Sequence, residues 1–386
     1  MILRKLKQEE HVLTRRLWET VFREDTKEFL DYYYFIKARE NQIYVIEEDG
    51  DIRSMLQLNP YTICIEDGQF SSNYIIAVST QKEYRSRGYM GQLLRASMAD
   101  MYEEKIPFTF LMPAAEAIYT PYDFRYIYRQ KSRVLDLSGG KTGVDGEGQS
   151  PTERPDVSDR DAGIFDAEEM AAFFERYFSG KWQVYAAHDE EYYRTMILEQ
   201  QSEHGGVRLI RNGEELIGMF AYAKEKELEI REPLFLSGWE ELFEHTVKRM
   251  ASGRERIKIY GCPDGVLGQD KPVIMARILH LPTFLSALKV PAEEKLDCSF
   301  AVIDPILHQN SRIWRLHSGI GEEKVTVSET EDSEGVIPAA ELTELMFGMK
   351  SVDEIKQREN VVITDRLENE LNRIRKLDRV FLNEVV

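Results

Sequence analysis

Tyr74-Ile75-Ile76-Ala77-Val78-Ser79-Thr80, followed after four residues by Arg85-Ser86-Arg87-Gly88-Tyr89-Met90-Gly91, decides how this chain is read. An apolar, β-branched run reads as a buried strand. The segment after Gly88 reads as a helix, because Met90, Leu93, Leu94, Ser97, Met98 and Met101 recur at three- and four-residue spacing on one face. A short loop between strand and helix turns free backbone N–H groups and the positive end of a helix dipole toward an anion. Arg85 and Arg87 beside it supply charge-assisted hydrogen bonds, each worth about 1.5–3 kcal/mol when well formed. Gly88 and Gly91 are expected to let backbone approach such a ligand closely. The loop is neither GxGxxG nor a Walker loop, since it has the spacing of neither. A pyrophosphate group is the expected occupant.

Outward from this loop, a strand at Phe108–Met112 leads to Ala114-Ala115-Glu116-Ala117-Ile118-Tyr119 and then Tyr122-Asp123-Phe124. This set of segments resembles motif A and the following strand of the GNAT acyltransferases, in particular the Eis-like N-acetyltransferases. The usual motif is Arg/Gln-x-x-Gly-x-Gly/Ala. Here it reads Arg85-x-x-Gly88-x-Met90, so the final small residue is replaced by an apolar one. The specific motifs occupy Tyr74 to Phe124, whereas the architecture resembles the Eis-like family along the whole chain. The resemblance implies an α+β fold: tandem GNAT-type acyltransferase domains, the second degenerate, followed by a sterol-carrier-protein-like α+β domain. It also implies acetyl-CoA as co-substrate, held by Val78, Ser79, Thr80, Arg85, Ser86, Arg87, Gly88, Tyr89, Met90 and Gly91, with Ala114 and Ala115 as small residues on the opposite side. Tyr119 matches the tyrosine that protonates the departing thiolate.

The resemblance further implies that the α-carboxylate of the last residue, Val386, serves as the base. No histidine lies near the motifs in sequence, and the chain ends Phe381-Leu382-Asn383-Glu384-Val385-Val386, apolar and acidic where termini are usually polar. Those valines suit packing against a neighbour equally well. An α-carboxyl near pKa ~3.5 is a weak base, so burial or a water relay would have to assist it. For the acceptor, Trp18, Asp25 and Glu384 are candidates, because carboxylates and aromatic faces suit an ammonium group. They suit an ordinary surface too.

Bulk properties narrow the classes. With 386 residues and 42% apolar composition, the chain has material for two or three cored domains. A net charge of −18 argues against nucleic acid or an anionic membrane as partner and favours a small cationic amine, although it serves solubility equally well. Three cysteines, Cys64, Cys262 and Cys298, form no CxxC pair, so neither a zinc site nor a disulfide framework is expected and no metal is called for. The start MILRKLKQEEH has no apolar signal-peptide core and no 18-residue apolar run occurs, which predicts a cytoplasmic protein. By resemblance it is a homo-oligomer, a hexamer.

The organisation expected is a catalytic domain at 1–148, a degenerate copy at 149–270 and the sterol-carrier-like domain at 271–386. In the first, Leu13, Leu17, Trp18 and Val21 form a helical stripe. Ile43–Glu47, an Asp49-Gly50 turn and Ile52–Leu58 form a hairpin, and strands follow near 60–66 and 70–80. Residues 139–160, rich in Gly and Pro, read as a linker or exposed loop. Helices are expected near 170–178, 192–201 and 239–251. The stretch 207–222 repeats the strand–turn–strand pattern of 44–58 without an arginine-glycine loop after it, so this copy is not expected to bind CoA. Beyond it, 279–287, 339–346 and 365–377 read as helices and 298–305, 312–316 and 324–330 as antiparallel strands. The alternative function is a non-catalytic acyl-CoA-binding or lipid-binding protein.

Overall fold

The computed structural model describes residues 1–137, 156–224, 227–251, 253–263 and 266–383. The first part runs β1 (Ile2–Lys5), α1 (Arg15–Val21), α2 (Lys27–Phe35), β2 (Gln42–Glu48), β3 (Asp51–Ile65), β4 (Gly68–Thr80), α3 (Tyr89–Glu103), β5 (Phe108–Leu111), α4 (Glu116–Tyr119) and β6 (Arg125–Asp136). Asp49 and Gly50 take φ of 56° and 80°, the left-handed pair that a tight hairpin between right-twisted strands requires. Period-two alternation then divides the sheet faces. Ile43, Val45 and Met55 pack under α1 and α2 with Trp18, Phe29 and Tyr33, while Tyr44, Ile46 and Leu56 pack under α3 with Leu93, Leu94, Met98 and Met101. Each of those α3 side chains is fully buried, worth about 1.5–3 kcal/mol apiece in transfer terms.

The second part runs β7 (Val157–Asp161), α5 (Ala167–Tyr177), β8 (Val184–Ala186), α6 (Glu190–Ser202), β9 (Gly206–Asn212), β10 (Glu215–Ala223), β11 (Leu228–Phe235), α7 (Glu240–Met250), β12 (Arg256–Tyr260) and β13 (Gln269–Ile278). It repeats the first part down to a local irregularity. Where Met55–Gln57 of β3 face Ile76–Ser79, β4 carries an extra residue and Ala77 has φ 53°. Where Met219–Ala221 of β10 face Arg231–Leu234, β11 carries one too and Glu232 has φ 48°. A β-bulge of this kind leaves a residue outside the ladder and re-aims its neighbours. The two halves merge into one sheet whose twelve-strand path is ordered β1-β2-β3-β4-β5-β13-β6-β12-β11-β10-β9-β7, with β8 off this path and paired with β3. The joint is β13, which inserts antiparallel between β5 and β6.

The last part, α8 (Leu281–Ser286), β14 (Leu296–Ile303), β15 (Ile313–Ser318), β16 (Thr326–Glu329), β17 (Gly335–Pro338), α9 (Ala339–Met346), α10 (Val352–Lys356), β18 (Val362–Ile363), α11 (Asp365–Arg373) and β19 (Val380–Phe381), forms a five-stranded sheet ordered β16-β15-β14-β17-β18. Leu342, Leu345, Leu367 and Leu371 bury the inner faces of α9 and α11 against it. Strand β19 leaves this unit and pairs in parallel with β8 of the second part. Among the described residues no helix is long and apolar enough to cross a membrane.

Several expectations are corrected. The strands expected at 52–58 and 60–66 are one strand, β3; Pro60 sits within it opposite Asn73. Leu13 is 54% exposed and precedes α1, so it does not belong to the buried stripe. Residues 157–160 are strand β7, paired with β9, whereas 138–155 lie outside the described residues. The helix expected to reach Leu377 ends at Arg373, where Ile374 turns extended (ψ 124°) and carries the chain toward β19.

Candidate active site

The site begins where β4 and β5 part. They are paired in parallel at Tyr74↔Phe110 alone, so from Ile75 to Thr80 the far edge of β4 has no ladder partner on the β5 side. The Ala77 bulge lies within this stretch, and β4 there presents backbone groups to an open V instead of to a neighbouring strand. Val78 turns its side chain toward the α3 core, Ser79 is buried, and the Thr80 hydroxyl lies 2.8 Å from that of Ser54. The strand end is therefore fixed by side chains while its backbone edge faces the gap.

At the mouth of the V stands the loop to α3. Ser86 and Gly88 take φ of 61° and 79°, and Gly88 is the N-cap. A Cβ at Gly88 would meet nothing within 4 Å, so the left-handed backbone, not space, is what selects glycine there. No side chain caps α3, and the first ladder bond is Gln92 N–H to Gly88 carbonyl at 3.1 Å. The N–H groups of Tyr89, Met90 and Gly91 consequently have no acceptor within the helix. Arg85 and Arg87 are exposed beside them. Arg87 lies over the Tyr84 ring and 3.8 Å from Glu48, which also accepts from the Tyr89 hydroxyl. The arrangement offers three N–H groups, a helix dipole and two guanidinium groups to one anion.

Gly91 differs from expectation. Its missing side chain leaves room for the hydroxyl of Tyr122 rather than for a ligand. That contact ties α3 to the segment after β5, where Ala114 and Ala115 are exposed and α4 carries Tyr119. Tyr119 is 7% exposed, its ring set edge-on against Phe124 at 5.9 Å. None of the described residues hydrogen-bonds its hydroxyl, and burial pushes its pKa up to about 12. It stays protonated at neutral pH, as a proton donor must.

Sequence reasoning missed the residue that holds this segment. Arg277 of β13 is fully buried; its Nε donates to the Tyr122 carbonyl at 3.0 Å and its Nη2 to Asp304 at 2.5 Å. Asp304 in turn accepts from the Ile306 and Leu307 N–H groups and from Asn310. The signal was present: one arginine inside the apolar run Val273–Leu279 must be paired if that run is a buried strand.

A cavity of about 430 Å3 opens between the segment after α2 (residues 36–40), β3 and α6, lined among others by Tyr61, Tyr192, Glu199, Arg231, Glu232 and Asn383. Trp18 and Asp25 do not line it. The Trp18 indole donates to Asp25 at 2.6 Å and packs among Phe22, Phe29 and Tyr33, so both serve the α1–α2 core. Burial raises the Asp25 pKa. Glu384 and Val386 lie outside the described residues. Asn383, just before them, accepts from Tyr128 and Gln130 of β6 at 2.8 and 2.9 Å. In the second copy, the loop before α7 has no arginine, and Glu240 already accepts from the Gly238 N–H at 2.9 Å.

Residues 3–127 match the family model of the acetyltransferase (GNAT) domain, and residues 281–385 that of the sterol carrier protein domain. No curated protein matches the chain. Similar solved structures include a probable N-acyltransferase from Enterococcus faecalis (16% identity, TM-score 0.81, covering 100% of this chain and 99% of that one). A GCN5-related N-acetyltransferase from Anabaena variabilis aligns at 14% identity and TM-score 0.78 over 99% of both chains. Eis1 from Mycobacterium abscessus aligns at 12% identity and TM-score 0.70 over the full length of each.

Proposed function

We propose that this chain, which carries a GNAT acetyltransferase domain and a sterol carrier protein domain in the Eis-like fold, moves an acetyl group from acetyl-CoA directly to a primary amine. The observation that carries the reading is the open V between β4 and β5 with the uncapped, arginine-flanked N-terminus of α3 at its mouth. The pyrophosphate of CoA would sit on the Tyr89, Met90 and Gly91 N–H groups with Arg85 and Arg87 alongside. Pinned there, its pantetheine arm runs along the unpaired edge of β4, where N–H groups near the bulge meet the thioester carbonyl.

When the amine nitrogen attacks that carbonyl, a C–N bond forms and the C–S bond breaks. Tyr119 donates a hydrogen bond to the leaving sulfur, and its raised pKa, about 12, keeps the phenol protonated while the thiolate develops. The attacking amine must lose a proton, and the α-carboxylate of Val386 is the assigned acceptor. The tether of Asn383 to β6 and its place on the cavity wall support that assignment. The acceptor is a small cationic amine of the aminoglycoside, polyamine or lysine type, drawn by the net charge of −18.

Thiol release from acetyl-CoA, followed across a panel of such amines, tests the reading. Turnover with at least one amine, reduced about 10²-fold in Tyr119→Phe, is expected. Saturable CoA binding without thiol release in the presence of any amine would instead identify a non-catalytic acyl-CoA-binding protein.

A further inference from the structure

The second copy of the fold has kept its bulge and lost its CoA loop, yet it contributes β10, β11 and α6 to the 430 Å3 cavity. Glu232 stands at that bulge, where a non-glycine residue with φ 48° is strained, and each of its carboxylate oxygens has a close partner. His188 Nε2 lies 3.0 Å from Oε1, and the Tyr192 hydroxyl donates to Oε2 at 3.0 Å. The other ring nitrogen of His188 faces the Ala186 carbonyl. Arg231 is committed as well, to Glu203 at 2.5 Å and Glu229 at 3.2 Å.

Glu199 is different. It is 8% exposed and lines the cavity from α6. Its contacts are long: the Tyr32 hydroxyl at 3.3 Å and Gln200 Nε2 at 3.4 Å. A carboxylate has about four acceptor positions, so most of this one's capacity is unused. The Tyr61 and Tyr192 rings also line the cavity; Lys37, which lines it too, rests its Nζ over the Tyr61 ring at 4.6 Å and donates to the Tyr61 hydroxyl at 3.2 Å, the kind of contact an aromatic lining offers an ammonium.

Resting on the acetyltransferase reading, we propose that this cavity anchors a second ammonium group of the acceptor on Glu199, so that the enzyme prefers diamines and longer polyamines over monoamines of equal chain length. Glu199 acts as a specificity-determining residue, remote from the nitrogen that is acetylated. Burial pushes its pKa up to about 7, with Lys37 and Arg231 pulling it down, Glu203 pushing it up and the Tyr32 hydroxyl donating to it. An ammonium arriving there adds to the Lys37 and Arg231 charges, which offset the burial of this carboxylate only in part.

The test compares kcat/KM for α,ω-diaminoalkanes and n-alkylamines of matched length, in the full chain and in Glu199→Gln. The expected result is a diamine-to-monoamine ratio of about tenfold or more that falls toward unity in Glu199→Gln through KM, the size expected for one charge-assisted hydrogen bond. Without any substitution, the diamine KM should drop as pH rises through 7, because only the ionised carboxylate holds the cation. If no amine is acetylated, the transferase reading fails by itself. Calorimetric binding of 1,4-diaminobutane to the same two proteins then still decides the anchor. Equal diamine and monoamine KM values, or equal diamine binding by the two proteins, would overturn the proposal.

Discussion

The hydroxyl of Tyr122 fills the space that a side chain on Gly91 would occupy, so the helix at the mouth of the cleft and the segment bearing Tyr119 are packed as one piece. Gly91→Ala forces that hydroxyl away and shifts α3 against the α4 segment. The expected outcome is a loss of about 1–3 kcal/mol in stability, the usual cost of overpacking, together with weaker acetyl-CoA binding. Denaturant titration and calorimetry on the variant measure both, and paired Gly91→Ala/Tyr122→Phe should recover part of each.

Arg277→Met leaves Asp304 buried and unpaired and frees the Tyr122 carbonyl. Breaking a buried pair from one side costs about 3–5 kcal/mol. Arg315→Met, which removes an exposed pair with Asp297, should cost at most about 1 kcal/mol. Urea midpoints of the two variants against the parent protein check the contrast.

Glu199 predicts a pH dependence of stability. Its folded pKa, about 7, lies above its ordinary value of 4.5. The folded state therefore binds the extra proton between those values, and the contribution is complete below pH 4.5 and lost as pH rises through 7. Glu199→Gln removes this loss, so the variant should gain on the parent protein from pH 4.5 to 8 by roughly 3 kcal/mol. Denaturation midpoints of both proteins across that window would show curves that diverge upward, and parallel curves would contradict the assignment.

Tyr119, with a pKa near 12, keeps its proton through the range in which the enzyme can be assayed. The kcat profile of the parent protein should show no alkaline limb attributable to it between pH 7 and 10 (its ordinary value is 10), whereas Tyr119→Phe should lower kcat across that whole range. A loss confined to KM for acetyl-CoA would make Tyr119 a packing residue only.

Much of the cleft was legible because it is local. Strand, loop and helix follow one another from Tyr74 to Met101, and both the α3 stripe and the Asp49-Gly50 hairpin are short-range signals. What escaped was non-local. Strand β13 lies between β5 and β6 although its sequence is 130 residues or more away, and nothing in Gln269–Ile278 announces its neighbours. The same holds for Glu199 and Glu232, two carboxylates among 68 acidic residues until the packing of α6 on β10 and the bulge in β11 aim them at one cavity. Trp18 and Asp25, an aromatic and a carboxylate near one another in sequence, read as a ligand site, whereas the fold joins them directly, the buried indole donating to the half-buried carboxylate.

Isothermal titration of acetyl-CoA into the intact protein and into Arg85→Ala/Arg87→Ala measures whether the loop before α3 grips the pyrophosphate. One saturable site per chain is expected, weakened about tenfold or more in the double variant, with affinity falling more steeply with salt in the intact protein than in the variant, because two charge-assisted phosphate contacts are lost. Absence of saturable binding, or equal affinity in the two proteins, would contradict it.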